Sequence, residues 1–332
     1  MISQADVRPP ASSPHPVSDA WVLADLERWT AEEALAELLD AYGEQLPNEP
    51  LAARLSWLEC FSARHWDFRS GRERDFIEHV DLSPRMSDAA GAAAVRFGMT
   101  GAVRPSRGSY SHILVLGGLA RACVLRPACA ADLVRSGLAT GTVAGLAGFR
   151  PLSDRETALL EAAGLPAAED EVGVMEHGLV SAFGLDGATC TTKASGGREA
   201  GDRLHRRWAP GGGPLVDLVA APSPEPAKRR ANTADTYAFW ADEVAELLPG
   251  DALLLVTSSI YVPFQGCDAV RVLGLPRGVA VEAVGVDVQD ERLGPLRQRF
   301  RAPHYLQELR STVRSVRALY EVALARTESA LG

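Results

Sequence analysis

SHILVLGGLARACVLRPACAADLVRSGLATGTVAGLAG, residues 111–148, is the stretch whose reading decides the fold. Residues 113–116 form a short apolar run that stops at Gly117 and Gly118, as a buried strand does on entering a tight turn with close backbone approach. Pro127 then suits the first position of a helix, Ala130, Leu133 and Val134 share one helical face, and Gly137 suits its end. A second apolar piece, 142–144, stops at Gly145 and Gly148. Strand, glycine turn, helix, strand and glycine turn make a βαβ unit, whose crossover sets the two strands parallel.

Towards the C-terminus the pattern repeats. Ser153-Asp154-Arg155-Glu156 is a capping box with Leu159, Leu160 and Ala163 behind it and Gly164 at its end, which predicts a second crossover helix. Residues 171–175 read as a third strand that delivers Glu176 and His177 to its end. Residues 184–214, rich in glycine and basic side chains, are long for a loop and read as a mobile lid or a locally helical insertion. Leu215–Ala220 resumes strand character, and Asn232-Thr233-Ala234-Asp235 opens a helix striped by Tyr237, Trp240 and Val244. Residues 252–256 make the most strand-like run and empty into Thr257-Ser258-Ser259. A short helix over 263–273, a strand over 279–286 and a long amphipathic helix over 305–324 complete the series. The fold expected is α/β, a Rossmann-like doubly wound and mostly parallel sheet, which holds ligands at the carboxyl ends of its strands.

Towards the N-terminus the signals are helical. Residues 1–17, with four prolines and three serines, read as a disordered leader. Residues 18–105 read as a helical segment capping the sheet, with a capping box at Thr30-Ala31-Glu32-Glu33, a helix restarting after Pro50, and further helices around 72–80 and 87–98. The α/β domain is expected over 106–332 with the 184–214 insertion. Both the helical segment and the insertion are expected to close the ligand pocket, and the helical segment is alternatively a dimerisation surface.

Composition limits the function classes. A net charge of −9 argues against a general nucleic-acid binder. The five cysteines are scattered without a CxxC pair, so neither a zinc site nor a redox dithiol is indicated, and a reducing cytoplasm is the simplest compartment. No run approaches the roughly 20 apolar residues that a membrane span requires. There is no GxSxG elbow, no GxxxxGK[ST] loop and no HExxH, which removes the serine-hydrolase, P-loop and zincin readings. Gly117-Gly118 lacks the full GxGxxG spacing, and no acidic residue closes the second strand to hold a ribose, so a standard NAD site is not indicated.

The predicted strand ends gather the candidate site. Gly117, Gly118, Gly145, Gly148 and Arg150 lie on the first two. Glu176 and His177 follow the third, Asn232 and Thr233 open a helix, and Thr257, Ser258, Ser259 and Tyr261 follow the strongest strand. Glycine-turn amides ahead of a helix favour an anion, with Arg150 and Lys228-Arg229-Arg230 adding charge. Glu156 reads first as a capping residue, and Asn232 reads equally as a cap and as a ligand contact. His177 beside Glu176 invites an acid–base reading, although a lone histidine is more often structural. Glu176, His177 and Tyr261 are the acid–base candidates, and Ser258, Ser259 and Asn232 would position a ligand. A phosphate- or carboxylate-bearing small molecule fits this set, and group transfer is favoured over hydrolysis because no activated nucleophile is visible.

The order ILVLGG, an Arg126-led helix with Ala130 and Leu133, VAGLAG followed by SDRE, then ANT, then LLVTSSIYVP resembles the YdcF/SanA/ElyC-like family over about residues 111–290. The resemblance implies a Rossmann-like fold and a pocket lined by Gly117, Gly118, Arg126, Gly145, Glu156, Asn232, Thr233, Thr257 and Ser258. It also implies a soluble branch that binds S-adenosylmethionine or a related nucleotide. After the VTS strand the family has a polar residue, His and Arg, where this chain has Ser259, Tyr261 and Phe264. That chemistry either passes to Tyr261, Gln265 or Asp268 or is lost, which leaves a non-catalytic ligand-binding or regulatory protein as the alternative.

Overall fold

The computed structural model describes residues 7, 9–69 and 80–331. The helix expected around 72–80 lies almost wholly outside them. Among the described residues eleven α-helices and seven strands follow in order: α1 (Asp19–Thr30), α2 (Glu33–Ala41), α3 (Leu51–His65), α4 (Pro84–Arg96), β1 (Ser109–Leu116), α5 (Ala120–Arg135), β2 (Ala139–Ala147), α6 (Asp154–Ala162), α7 (Glu171–Phe183), β3 (Thr189–Ser195), β4 (Arg203–Ala209), β5 (Leu215–Ala220), α8 (Thr233–Glu243), β6 (Ala252–Ser258), α9 (Val262–Ala269), α10 (Leu275–Arg277), β7 (Ala280–Val286) and α11 (Ala302–Leu331).

The strands form one mixed, mostly parallel sheet in the order β3-β4-β5-β2-β1-β6-β7. β5, β2, β1, β6 and β7 are parallel, whereas β3 and β4 add an antiparallel hairpin at one edge. Alternate residues of each central strand face opposite layers. Ile113 and Val115 pack with Cys123 of α5, Leu160 of α6 and Leu179 of α7. Leu114 and Leu116 pack with Trp240 of α8, with Leu273 between α9 and α10, and with Val313 of α11. Helices therefore cover both faces, and the interior strands read as nearly continuous apolar runs because both sides are buried.

The N-terminal helices pack outside α11 rather than over the strand ends. Leu35, Leu38, Leu55 and Leu58 share one apolar cluster with Val316 and Leu319 of α11. Residues 9–17, expected as a disordered leader, are held in place. Ala11 is 1% exposed, Ser13 bridges Val281 of β7, and the Arg107 guanidinium donates to the Pro14 carbonyl at 2.6 Å. This segment thus partners the outer edge of β7, which would otherwise present unpaired backbone groups. The capping box expected at Thr30 is absent: Thr30 ends α1, its hydroxyl donates to the Glu27 carbonyl at 2.9 Å, and Glu32 stands at the start of α2.

Three elements of the α/β region differ from expectation. α5 begins at Ala120, so Pro127 lies inside the helix. Its ring nitrogen has no proton for the Cys123 carbonyl, and that oxygen instead faces Gly178 of α7, where a Cβ would sit only 2.0 Å away. Residues 171–175 form the first turns of α7 rather than a strand. Asp170 caps it by accepting from the Gly173 N–H at 2.9 Å, and Gly184 closes it in the left-handed conformation at φ 61°. The 184–214 insertion is chiefly the β3–β4 hairpin, and every residue of β3 is exposed.

Candidate functional site

A cleft of about 410 Å3 opens at the carboxyl ends of β1, β2 and β5. Gly117 and Gly118, which follow β1, and Arg150, which follows β2, line one side. Across from them stand Asn232 and Thr233 at the start of α8, and Gln265 of α9 comes in from beyond β6. The chain runs outward from β1 through β2 to β5, then crosses back to β6 and β7, so Gln265 enters at the point where strand order reverses. Open α/β sheets hold ligands at such a point.

The turn after β1 is built around carboxylates supplied by the protein itself. The Gly117 N–H donates to the Leu146 carbonyl at 2.6 Å. The Ala120 N–H, in the first turn of α5, donates to Glu156 Oε1 at 2.9 Å. Glu156 Oε2 accepts from the Ser153 N–H at 3.0 Å, completing the capping box, so one side chain caps both α5 and α6. Arg150 grips Glu156 with two hydrogen bonds, of 2.7 and 2.8 Å, and reaches Glu171 Oε2 with its Nε at 3.2 Å. Its Nη2 also donates to the Gly118 carbonyl at 3.0 Å.

The two carboxylates differ in charge state. Burial alone would favour the neutral acid at Glu156, but the Arg150 guanidinium and the Ser153 and Ala120 amides outweigh it and pull the pKa down to about 2. At Glu171, burial dominates and raises the pKa against the opposing pull of Arg150 and Arg126. Burial likewise works against the Arg150 charge, and its two carboxylate partners more than restore it. Glu171 is therefore a buried carboxyl lining the cleft, poised to exchange a proton closer to neutrality than an ordinary glutamate.

Glu171 lies hard against the turn. A Cβ on Gly117 would sit 2.2 Å from its Oε1 and 2.6 Å from the Leu146 carbonyl. Gly117→Ala is thus expected to displace Glu171 and to destabilise the protein by about 2 kcal/mol, measured by urea denaturation. A Gly117→Ala protein as stable as the wild type would show that the turn yields without Glu171.

Residues 13–98, which contain α1–α4, match the family model described as Rv3785 N-terminal domain. The chain is 33% identical over 325 residues to the proteins named Uncharacterized protein Mb3814 of Mycobacterium bovis and Uncharacterized protein Rv3785 of Mycobacterium tuberculosis, covering 89% of this chain and 88% of each relative. The chain belongs to the Rv3785 family. No solved structure matches it.

In this Rv3785-family chain the residues singled out from sequence fall into three groups. Gly117, Gly118, Arg150, Asn232 and Thr233 line the cleft. Arg126, Glu156, Thr257 and Ser258 lie buried beneath or beside it and act on its walls. Arg126, 1% exposed, donates to the carbonyls of Leu116 at 2.6 Å and Gly117 at 2.5 Å and to Ser258 Oγ at 3.2 Å, tying the end of β1 to that of β6. The Thr257 hydroxyl donates to Gln265 Oε1.

The third group lies elsewhere. Gly145 is inside β2 under α7, where a Cβ would meet Leu179 at 2.7 Å, so it serves helix–sheet packing. The Ser259 hydroxyl lies between the carbonyls of Gly101 and Val286, on the far side of β6, and can donate to either. Glu176 and His177 ride on α7 because that segment is helical: Glu176 pairs with Arg206 of β4, and His177 faces an apolar cavity beside Val124 and Leu160. Tyr261 is 8% exposed in the core, edge-on to Phe264 and beneath the Arg126 guanidinium at 5.7 Å.

The N-terminal helices contribute no residue to the cleft lining among the described residues, whereas the insertion supplies Glu199 and Ala200. Sequence reasoning missed Glu171 and left Gln265 as a bare alternative. Asp170 ahead of an i, i+3, i+7 stripe of Val172, Met175 and Leu179 was the signal for α7, and with it for Glu171 at a helix start. Among the described residues no helix is long and apolar enough to cross a membrane.

Proposed function

We propose that the cleft binds a nucleotide-like or phosphorylated small molecule and that Glu171 handles a proton in a group-transfer reaction on it, in the cytoplasm. The observation that carries this reading is the buried Glu171 carboxyl at the cleft floor, its pKa raised by burial, among charged and amide groups from four separate elements. The anionic part of the ligand belongs at the first turn of α8, beside Asn232, Thr233 and Arg230, rather than at the glycine turn. Asn232 and Asp235 satisfy each other's backbone N–H in a reciprocal cap, which leaves the Thr233 N–H for the ligand.

The Rossmann-like classification and the YdcF/SanA/ElyC-like resemblance belong to the same proposal. They are supported by the strand order, by glycines after β1 and by the Asn232 cap. S-adenosylmethionine fits in part. Phe149 offers an aromatic face, but β2 is followed by Gly148, Phe149 and Arg150, so no carboxylate stands there for ribose hydroxyls. A second reading, a ligand-binding protein without catalysis, is favoured by one observation: Glu176, His177 and Tyr261 all lie outside the cleft lining.

Purified protein melted with S-adenosylmethionine, nucleotides and sugar phosphates is expected to gain several degrees with at least one of them, because a ligand bound only by the folded state raises the melting temperature. Glu171→Gln is expected to weaken binding by no more than about tenfold and to lose turnover by about 100-fold. A ligand that binds but is never consumed, with any co-substrate, selects the non-catalytic reading. No thermal response to any of the panel overturns both.

A further inference from the structure

The charge pattern of the cleft narrows the ligand class, on the premise that the cleft is the ligand site. At a glycine turn leading into a helix, an anion is ordinarily held by free N–H groups. Here those positions are taken from within. The Gly117 N–H is used by β2, the Ala120 N–H by Glu156, and the Gly118 amide is among the groups that support the charge on Glu171. One guanidinium, Arg150, serves both Glu156 and Glu171. Arg126 acts from below, with its guanidinium turned to the Leu116 and Gly117 carbonyls, and Cys123 is a further titratable neighbour, its thiol pushed up by burial and by Glu171. Glu199 brings another carboxylate to the same cleft. A phosphate placed on this floor meets a carboxylate where it needs donors, whereas an ammonium meets an acceptor.

The opposite wall has the reverse character. Gln265 is 2% exposed, and the Thr257 hydroxyl donates to its Oε1, which fixes the amide plane. Gln265 lines the cleft, and its Nε2 donates no hydrogen bond to the described residues. A buried amide held with its donor end open is a prepared contact for an acceptor, since burying such a group without a partner is costly. It stands with the Thr233 N–H at the start of α8, so this wall offers donors where the floor offers carboxylates.

We infer that the cleft takes an amino-bearing anionic small molecule, with its ammonium against Glu171 and its phosphate or carboxylate against Gln265 and the first turn of α8. Glu171 and Gln265 are then the residues that set charge selectivity at the two ends.

Calorimetric titration of the full-length protein with aminoalkyl phosphates of two, three and four carbons, each compared with the alkyl phosphate of equal length, tests this directly. The best aminoalkyl phosphate is expected to bind about tenfold tighter than its alkyl counterpart, as one added charge-assisted hydrogen bond provides. In Glu171→Gln that ratio is expected to fall to about one, and in Gln265→Leu both members are expected to weaken about tenfold with the ratio kept. Each ratio compares two ligands on one protein, so a general loss of stability in a variant cancels, and the wild-type ratio stands without any variant. Alkyl phosphates that bind as tightly as the aminoalkyl series, or a ratio that survives in Glu171→Gln, overturn the inference while the cleft remains a phosphate site. If neither series binds and no nucleotide shifts the melting temperature, the functional reading fails with it.

Discussion

Glu156→Gln is expected to destabilise the protein by about 3 kcal/mol at pH 7, and the deficit is expected to shrink to about 1 kcal/mol by pH 2.5. Glu156 is the carboxylate on which three things depend: the first turn of α5, the capping box of α6, and the Arg150 guanidinium. Its carboxyl is depressed from 4.5 to about 2 in the folded protein. The folded state therefore binds this proton more weakly than the unfolded chain does, and the resulting stability is fully present above the unfolded value. It is lost as pH falls from the unfolded value through the folded one. Glutamine retains the shape but leaves Arg150 with one buried partner instead of two, and breaking such a pair is costly because the remaining charge is stranded. Glu171 titrates with the opposite sign: its raised pKa means that its contribution to stability weakens as pH rises through its folded value, so Glu171→Gln does not show this acid dependence. Urea denaturation of wild type and Glu156→Gln at pH 7, 4.5 and 2.5 measures the difference, and a deficit that is the same at all three sinks the account of Glu156 as a charged anchor.

Gly178→Ala is expected to cost more than about 3 kcal/mol, against the usual gain of about 1 kcal/mol for replacing a helical glycine by alanine. The added methyl would lie 2.0 Å from the Cys123 carbonyl oxygen and 3.1 Å from Pro127 Cγ. Neither can retreat easily, because one is helix backbone and the other is a ring locked into it. The two helices must separate, and α7 carries Asp170 and Glu171 at its start, so ligand binding in the cleft is expected to weaken together with stability. Gly91 of α4 provides the matched control: nothing lies within 4 Å of a Cβ there, and Gly91→Ala is expected to stabilise by up to about 1 kcal/mol. If thermal denaturation shifts both variants in the same direction, the close approach of α5 and α7 is not the feature that demands glycine.

The Ser153–Glu156 and Asn232–Asp235 caps were legible because a cap is a contact between residues three apart, which the sequence displays directly. The parallel strands were legible as apolar runs stopped by glycine or by small polar residues, since burial on both faces leaves no alternation to decode. α7 was misread because Val172 and Val174 imitate strand alternation over five residues, and only the longer stripe to Leu179 separates the two periods. β3 offered no period at all, as none of its residues is buried. Residues 9–17 were misread by composition: prolines prevent helix formation, yet they do not prevent an extended segment from bridging the free edge of β7 at Ser13.

The parallel strands β1, β2, β5, β6 and β7, the Ser153 and Asn232 caps and the glycine turn after β1 follow from the amino-acid sequence alone, because each rests on spacing and interactions within a few residues. Tertiary structure alone decided that the glycine turn is filled by Glu171 and Glu156, that Arg126 faces inward, and that Gln265 joins the start of α8 on the opposite wall of the cleft. Those contacts join residues 36 and 132 positions apart, as in Ala120 with Glu156 and Arg126 with Ser258. Charge pairing at such separations is set by which strand ends the sheet brings together, and no local pattern carries that information.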